Sequence, residues 1–274
     1  MRDGHVVTRP GRAVRSRGRE SEGSGVMLLP IEIKVNIDGS VGAALSALGE
    51  PQGEVVKRLV WFAEDRGGVE AGRLLLLGDG VIVRFRSGDT PDELAVKLRP
   101  CTEEQLVGRF SRPFDEESFE YRIEEDRSGS RHALAASAVS SHPQGALLAA
   151  VAPDADAGAP LGALQRQFLR ECEPGLHLGG LVALGPVAST KFNNLLLDDL
   201  KVDMERWSVS DLDFLELSIR VKPKDDEGAE EFEARSRRKQ EKLESSVRDR
   251  GVVISEHLDD KTRRVLTALA AGHR

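Results

Sequence analysis

The stretch from Pro30 to Ile37, P-I-E-I-K-V-N-I, alternates without a break between apolar and polar residues. A period of two is typical of a β-strand, because successive side chains point to opposite faces. The four aliphatic residues therefore share one face, and Glu32, Lys34 and Asn36 share the other. A Glu beside a Lys forms either a solvated strand surface or part of a charged site, and the rest of the chain bears on this choice.

Four later segments repeat the pattern, at 81–86, 93–99, 118–126 and 213–221. Each has an apolar face and a second face that carries Glu, Lys or Arg. The charged residues on these second faces are Arg84, Arg86, Lys97, Arg99, Glu120, Arg122, Glu124, Glu216 and Arg220. One interpretation is an antiparallel sheet with a wet outer face. The other is a barrel with its charges inside, because several cations beside a few carboxylates suit a polyphosphate with a divalent metal.

A charged interior requires a cover for the apolar outer faces. Helices are predicted over 160–172, 226–250 and 259–271, where apolar residues recur at helical spacing. Further elements are a short helix over 40–48 and extended segments over 55–62, 74–77, 131–140, 176–187 and 203–209. The loop 141–160 is the only internal seam that the composition suggests.

The composition is that of an acidic protein that is long enough to bury a sizeable core. The chain has 274 residues, of which 39% are hydrophobic, and a net charge of −7, which does not favour specific nucleic-acid binding. No apolar run reaches membrane-spanning length, and two distant cysteines fit a reducing cytoplasm. The Arg-rich segment 1–26 is predicted to be a disordered basic extension, and 27–274 a single domain. The sequence does not set the oligomeric state.

These segments together resemble the CYTH domain of the triphosphate tunnel metalloenzyme superfamily, which includes class IV adenylate cyclases, thiamine triphosphatases and inorganic triphosphatases. The E-x-E-x-K signature of that family corresponds to P-x-E-x-K from Pro30 to Lys34. Its L-R-x-R and T-L-K strands resemble V-R-F-R at 83–86 and A-V-K at 95–97. Its later acidic strand resembles E-x-S-x-R at 216–220, and its closing Ser-Lys segment resembles 260–262.

The resemblance implies an α+β fold, an antiparallel eight-stranded β-barrel with a charged interior that helices cover. It implies a Mg²⁺-dependent (or Mn²⁺-dependent) phosphohydrolase that acts on inorganic triphosphate or on an organic triphosphate. Glu32 and Glu216, facing each other across the tunnel, would bind the metal. Glu120 or Glu124 would be the catalytic acid of the middle strand. The residues implied to bind phosphate are Lys34, Arg84, Arg86, Lys97, Lys191, Arg220 and Lys261.

Two departures from the family pattern favour an alternative function. Pro30 stands where the signature has its first Glu, and Ser218 stands where the later strand has its second. In the family these positions help to hold a second metal and to position the attacking water, and neither residue replaces a carboxylate in that work. The alternative is therefore a module that binds a triphosphate, nucleotide or polyphosphate and turns it over slowly or not at all. An adenylate cyclase would also need a purine pocket, which the sequence does not reveal.

Overall fold

A computed structural model describes residues 27–38, 40–49, 54–256 and 261–272. The predicted basic extension at 1–26 lies outside these residues. The strands are β1 Ile31–Asp38, β2 Val55–Asp65, β3 Val81–Gly88, β4 Asp92–Cys101, β5 Phe114–Glu116, β6 Phe119–Ser128, β7 Arg131–His142, β8 Leu181–Leu197, β9 Leu200–Val209 and β10 Leu212–Val221. The α-helices are α1 Val41–Leu48, α2 Arg66–Glu70, α3 Leu75–Gly78, α4 Ala163–Cys172, α5 Ala229–Arg248 and α6 Lys261–Gly272.

The strands form one sheet that closes on itself. Their order is β1-β10-β9-β8-β2-β3-β4-β7-β6, and β6 pairs back with β1, while the short β5 pairs only with β6. The predicted barrel is confirmed, but nine strands close it rather than eight. Strand directions alternate around an antiparallel ring, so an odd number leaves one parallel pair. That pair is β1 and β6, in which Glu32 lies opposite Asp126.

The apolar strand faces point outward, and helices cover most of them. On one side α5 contributes Phe232, Leu243 and Val247 to a cluster with the aliphatic residues of β1, β9 and β10. On the other side, α4 packs Phe168 and Leu169 against β3, β4, β6 and β7. The charged faces therefore turn into the barrel, as the alternation of β1 predicts.

The last helix, α6, does not cover the outside of the barrel. Its residues Val265 and Leu266 pack against Phe62, Ile82 and Trp207. Ile82 shares the inward face of β3 with Arg84 and Arg86, so this apolar cluster lies inside the barrel. The expectation that residues 259–271 form an outer cover is wrong, because the inner wall has an apolar section that also needs a partner.

The predicted extended segment at 74–77 is instead the short helix α3. The buried Glu64 accepts hydrogen bonds from the backbone N–H groups of Leu76 and Leu77, at 3.0 and 2.9 Å. A carboxylate that satisfies the first N–H groups of a helix stabilises that helix even over one turn. The sequence pattern gave no sign of this partner, which lies 12 residues earlier in the chain.

None of the helices that the structure describes is long and apolar enough to span a membrane.

Candidate functional site

The interior of the barrel contains a cavity of about 1230 Å³ with a predominance of positive charge. Fourteen Lys and Arg residues line it, against nine Asp and Glu residues. The whole chain carries a net charge of −7, so the fold concentrates cations in one place. Such a cavity attracts and holds a ligand that is itself strongly negative.

The structure brings together almost all of the residues that the sequence singles out. The cavity is lined by Lys34, Arg84, Arg86, Lys97, Lys191, Arg220 and Lys261, and by Glu32, Glu124 and Glu216. Glu120 is the exception, since its side chain is 48% exposed and lies outside the lining. Of the two acids that the sequence leaves open on this strand, only Glu124 reaches the cavity.

Three carboxylates meet where the barrel closes. Glu32 on β1 and Glu124 and Asp126 on β6 each offer an oxygen, and these oxygens lie within 4.8 Å of one another. We call them the seam carboxylates, since the parallel pairing of β1 and β6 creates the group. Lys34 lies between two of them, with its Nζ 3.0 Å from Glu32 and 2.9 Å from Asp126. Arg99 Nη1 lies 3.0 Å from the other oxygen of Asp126.

Opposite charges keep Glu32 and Lys34 ionised. Burial alone would raise the pKa of Glu32, but Lys34 and Lys97 outweigh burial and hold the pKa well below its usual range. Burial likewise opposes the charge on Lys34, and Glu32 and Asp126 outweigh it to raise the pKa of Lys34. Glu124 pairs with Arg220. Glu32 is therefore present as an anion near neutral pH.

The seam carboxylates fit a hard divalent cation, which prefers oxygen ligands and an excess of negative charge. Three close carboxylate oxygens meet that requirement, and the cation would displace Lys34 and Arg220 from their present pairs. Glu216 does not belong to this group, because it lies opposite Asn36, four residues along the neighbouring strand from Glu32. That offset is about 14 Å along the strand. The prediction that Glu32 and Glu216 face each other across the tunnel is therefore wrong.

A second group of charges surrounds Glu205 on β9. Glu205 accepts hydrogen bonds from Ser189 Oγ at 2.7 Å and from Arg86 at 3.4 Å, and it pairs with Lys261 at 3.3 Å. Lys261 also pairs with Glu216 at 3.1 Å. Burial would raise the pKa of Glu205, but Lys261 and Arg86 lower it well below its usual value. Lys261 thereby attaches the first turn of α6 to the inner wall of the barrel.

Lys97 differs from the other cations of the cavity. Arg84 has a partner in Glu93, at 3.1 Å, whereas within the described residues Lys97 makes neither a hydrogen bond nor an ion pair. Burial and the neighbouring Arg84 lower the pKa of Lys97 to about 8. A buried ammonium group without an acceptor is energetically costly, which is expected of a group that awaits an anion.

Sequence reasoning missed several residues of the cavity. Asp126 belongs to a run of acids that reads as a solvated hairpin end, although it continues the inward face of Glu124. Glu205 was missed because only its segment, and not its face, was assigned to a strand, and Arg206 and Trp207 reverse the simple alternation after it. Both residues lie inside the predicted segments 118–126 and 203–209, and following the inward face through the whole of each segment would have found them.

The geometry can be compared with that of known proteins. No protein-family model matches the chain, and no curated protein sequence matches it either. Solved structures do match. One of them is a candidate adenylyl cyclase from Hippeastrum that is described as having a dominant triphosphatase activity. The match has a TM-score of 0.53 and 14% sequence identity, and it covers 86% of this chain and 95% of the other. The fold is CYTH-like.

A second CYTH-like structure supports the same conclusion. It is a candidate adenylate cyclase from Bacillus halodurans, with a TM-score of 0.50 and 13% identity over 86% of this chain and 98% of the other. The fold that the sequence resemblance predicts is therefore confirmed. Identities this low show the fold alone, and the activity of the CYTH-like barrel has to be argued from its own cavity.

Proposed function

We propose that this protein binds a linear triphosphate, either inorganic or at the end of an organic compound, together with a divalent cation, and hydrolyses it. The observation that carries this proposal is the cavity inside the closed barrel, in which a wall of Lys and Arg side chains faces the seam carboxylates. A triphosphate with a bound cation presents both kinds of partner that this arrangement needs.

Arg84, Arg86 and Lys97 are the phosphate-binding residues in this proposal. The Nε atoms of both arginines are buried and have no hydrogen-bond partner within the described part of the chain. Guanidinium donors without an acceptor match phosphate oxygens, which accept several hydrogen bonds each. Lys97 supplies a charge that no carboxylate of the described residues neutralises through an ion pair.

The divalent cation would be Mg²⁺ or Mn²⁺, held by Glu32, Glu124 and Asp126. When bound, it would offset the charge of the phosphate oxygens and so favour attack on phosphorus. The contribution of the chain is positional and electrostatic: it fixes the phosphates and presents Glu124 to a water molecule. A buried carboxylate such as Glu124, 4% exposed, can order a water for attack.

A binding module that does not turn its ligand over is the alternative. The observation that favours it is the identity of two residues near the seam carboxylates. Ser218 faces the cavity opposite Lys34, and Pro30 offers only its backbone carbonyl, which accepts a hydrogen bond from Glu125 N at 2.9 Å. Neither supplies the additional carboxylate that a second cation or a second water contact would use.

The experiment that separates these functions measures binding and turnover on the same sample. Phosphate release from tripolyphosphate is followed with Mg²⁺, with Mn²⁺ and with excess chelator, beside thermal unfolding with the same ligand. We expect metal-dependent release and a raised melting temperature. Ligand at a hundred times its Kd stabilises a protein by about 2.7 kcal/mol.

Two variants make the result specific. Glu124→Gln should remove metal-dependent release, while Glu117→Gln, at an exposed residue in the turn before the same strand, should leave it unchanged. A melting shift without release would establish the binding module instead. No shift and no release would refute both functions.

A further inference from the structure

Ser137 on β7 is a buried polar residue to which the proposed function gives no task. It shares the inward face of its strand with Ala133, which lines the cavity, but only 1% of Ser137 is exposed and it does not itself line the cavity, whereas its neighbours Lys97 and Arg122 do. Its Oγ has no hydrogen-bond partner within the residues that the structure describes. Buried hydroxyl groups are nearly always paired, because an unpaired one loses its bonds to water without replacement. This hydroxyl therefore calls for a partner that is not among the described residues.

The two neighbours of Ser137 across the sheet are cations with unused donors. Lys97 on β4 lies directly opposite Ser137 on one side, and Arg122 on β6 lies directly opposite it on the other. Lys97 has no ion-pair partner in the described chain. Arg122 Nε is buried without a hydrogen bond, although it lies 3.4 Å from the exposed Glu120. One hydroxyl and two cations, with donors that make no hydrogen bond, thus form one row across three strands.

The dimensions of this row suit a tetrahedral oxyanion. Neighbouring strands lie about 4.8 Å apart, so a short serine side chain sits in a notch between two long cationic ones. An oxygen of a phosphoryl group in that notch could accept from the hydroxyl while its other oxygens contact the two cations. Displacing Lys97 to admit the group breaks no ion pair of the described chain.

The row also lies beside the seam carboxylates. Glu124 follows Arg122 by two residues on the same face of β6, a distance of about 7 Å along the strand. A phosphoryl group in the notch would therefore be the one next to the bound cation. The other arginines of the cavity, Arg84 and Arg86, lie on β3, beyond β4, and are left for the rest of the ligand.

We propose that Ser137, flanked by Lys97 and Arg122, forms an oxyanion subsite that positions the phosphoryl group nearest to the seam carboxylates. This inference rests on the proposed function, because it assigns one group of the same triphosphate ligand. Ser137 is a positioning residue here, and its hydroxyl contributes a hydrogen bond only when the ligand is bound.

The prediction is that removing the hydroxyl has opposite effects on the free and the bound protein. Ser137→Ala should leave the melting temperature of the free protein unchanged or raise it, because an unsatisfied buried hydroxyl is lost. The same change should weaken tripolyphosphate binding about tenfold, measured by titration calorimetry with Mg²⁺ present. Ser137→Thr keeps the hydroxyl and should retain more affinity than Ser137→Ala.

The matched control is Ser236→Ala on α5. Ser236 is also fully buried, but its Oγ donates to the carbonyl of Phe232 at 2.8 Å, away from the cavity. This variant should bind tripolyphosphate as the unaltered protein does. If the unaltered protein fails to bind, the proposed function is wrong. If it binds and Ser137→Ala binds equally well, or Ser137→Thr loses as much affinity as Ser137→Ala, only the oxyanion subsite is refuted.

Discussion

Lys97 offers the sharpest test of how the cavity is built, because its buried positive charge lowers the stability of the free protein. Burial and Arg84 lower the pKa of Lys97 from 10.5 to about 8. Replacing the ammonium group with an apolar side chain of similar length, as in Lys97→Met, should therefore stabilise the free protein. The same change should abolish high-affinity binding of tripolyphosphate, since the cavity loses a cation that has no ion-pair partner in the described chain.

The size of the effect follows from the pKa values. The difference between 10.5 and about 8 corresponds to about 3 kcal/mol, at about 1.36 kcal/mol for each pH unit. Water in the cavity that Lys97 lines screens part of this cost. We expect Lys97→Met to raise the free energy of unfolding at pH 7 by about 1–3 kcal/mol, measured by urea denaturation.

The stabilisation expected of Lys97→Met should also depend on pH. Below pH 8 Lys97 is charged in both the folded and the unfolded chain, so its cost is fully present. Between pH 8 and 10.5 the folded protein releases the proton first, and the cost declines. The stability advantage of Lys97→Met should therefore shrink as the pH rises from 7 towards 10.

The control is Lys191→Met, at a cavity cation that is 40% exposed and pairs with Asp203 at 2.9 Å. Exposed pairs contribute little, so this variant should change stability by less than about 1 kcal/mol. The reasoning fails if Lys97→Met destabilises the protein at pH 7, or if its advantage is the same at pH 7 and pH 10.

Three further predictions concern the other charges. Lys261→Met should lower the free energy of unfolding by on the order of 3 kcal/mol, because it removes the main cation that lowers the pKa of Glu205. The stability that the Glu205 carboxylate contributes is lost as the pH falls, so acid unfolding of the variant, followed by circular dichroism, should begin at a higher pH. An unmoved transition would contradict the assignment. Glu32→Gln should weaken Mn²⁺ binding about tenfold, which titration calorimetry can measure, whereas equal affinity would remove Glu32 from the metal site. The double change Pro30→Glu with Ser218→Glu should raise phosphate release from tripolyphosphate about 10²-fold if missing carboxylates limit turnover, and no gain would show that something else does.

The sequence was sufficient to predict which faces of the strands carry the charges. An alternating strand has only two ways to face, and the large apolar residues of β1 cannot all be left in water. The covering role of α5 and α4 follows from the same requirement. The number of strands, however, could not be read from the pattern, because β6 pairs with β1 across more than 80 residues of intervening chain.

The errors at the site come from strand order, which periodicity does not encode. Glu32 and Glu216 look like opposite walls when β1 and β10 are the first and last strands of the chain. Closure of the barrel makes these two strands neighbours, and their register places Glu216 opposite Asn36 rather than Glu32. The residue beside Glu32 is instead Asp126 on β6. The alternation of 118–126 placed Glu124 correctly, but only the register of β6 excludes Glu120 from the cavity.

The parallel pairing of β1 with β6 has a consequence for how this protein folds. Its partners are far apart in the chain, so the loop that must be ordered before they meet carries a large entropic cost. Hairpins such as β6–β7 and β9–β10 can form early, whereas the contact between Glu32 and Asp126 waits for the ring to close. Three carboxylates gather only at that last step. A bound divalent cation should therefore lower the unfolding rate more than it raises the folding rate. The unfolding rate should then report whether the site is occupied.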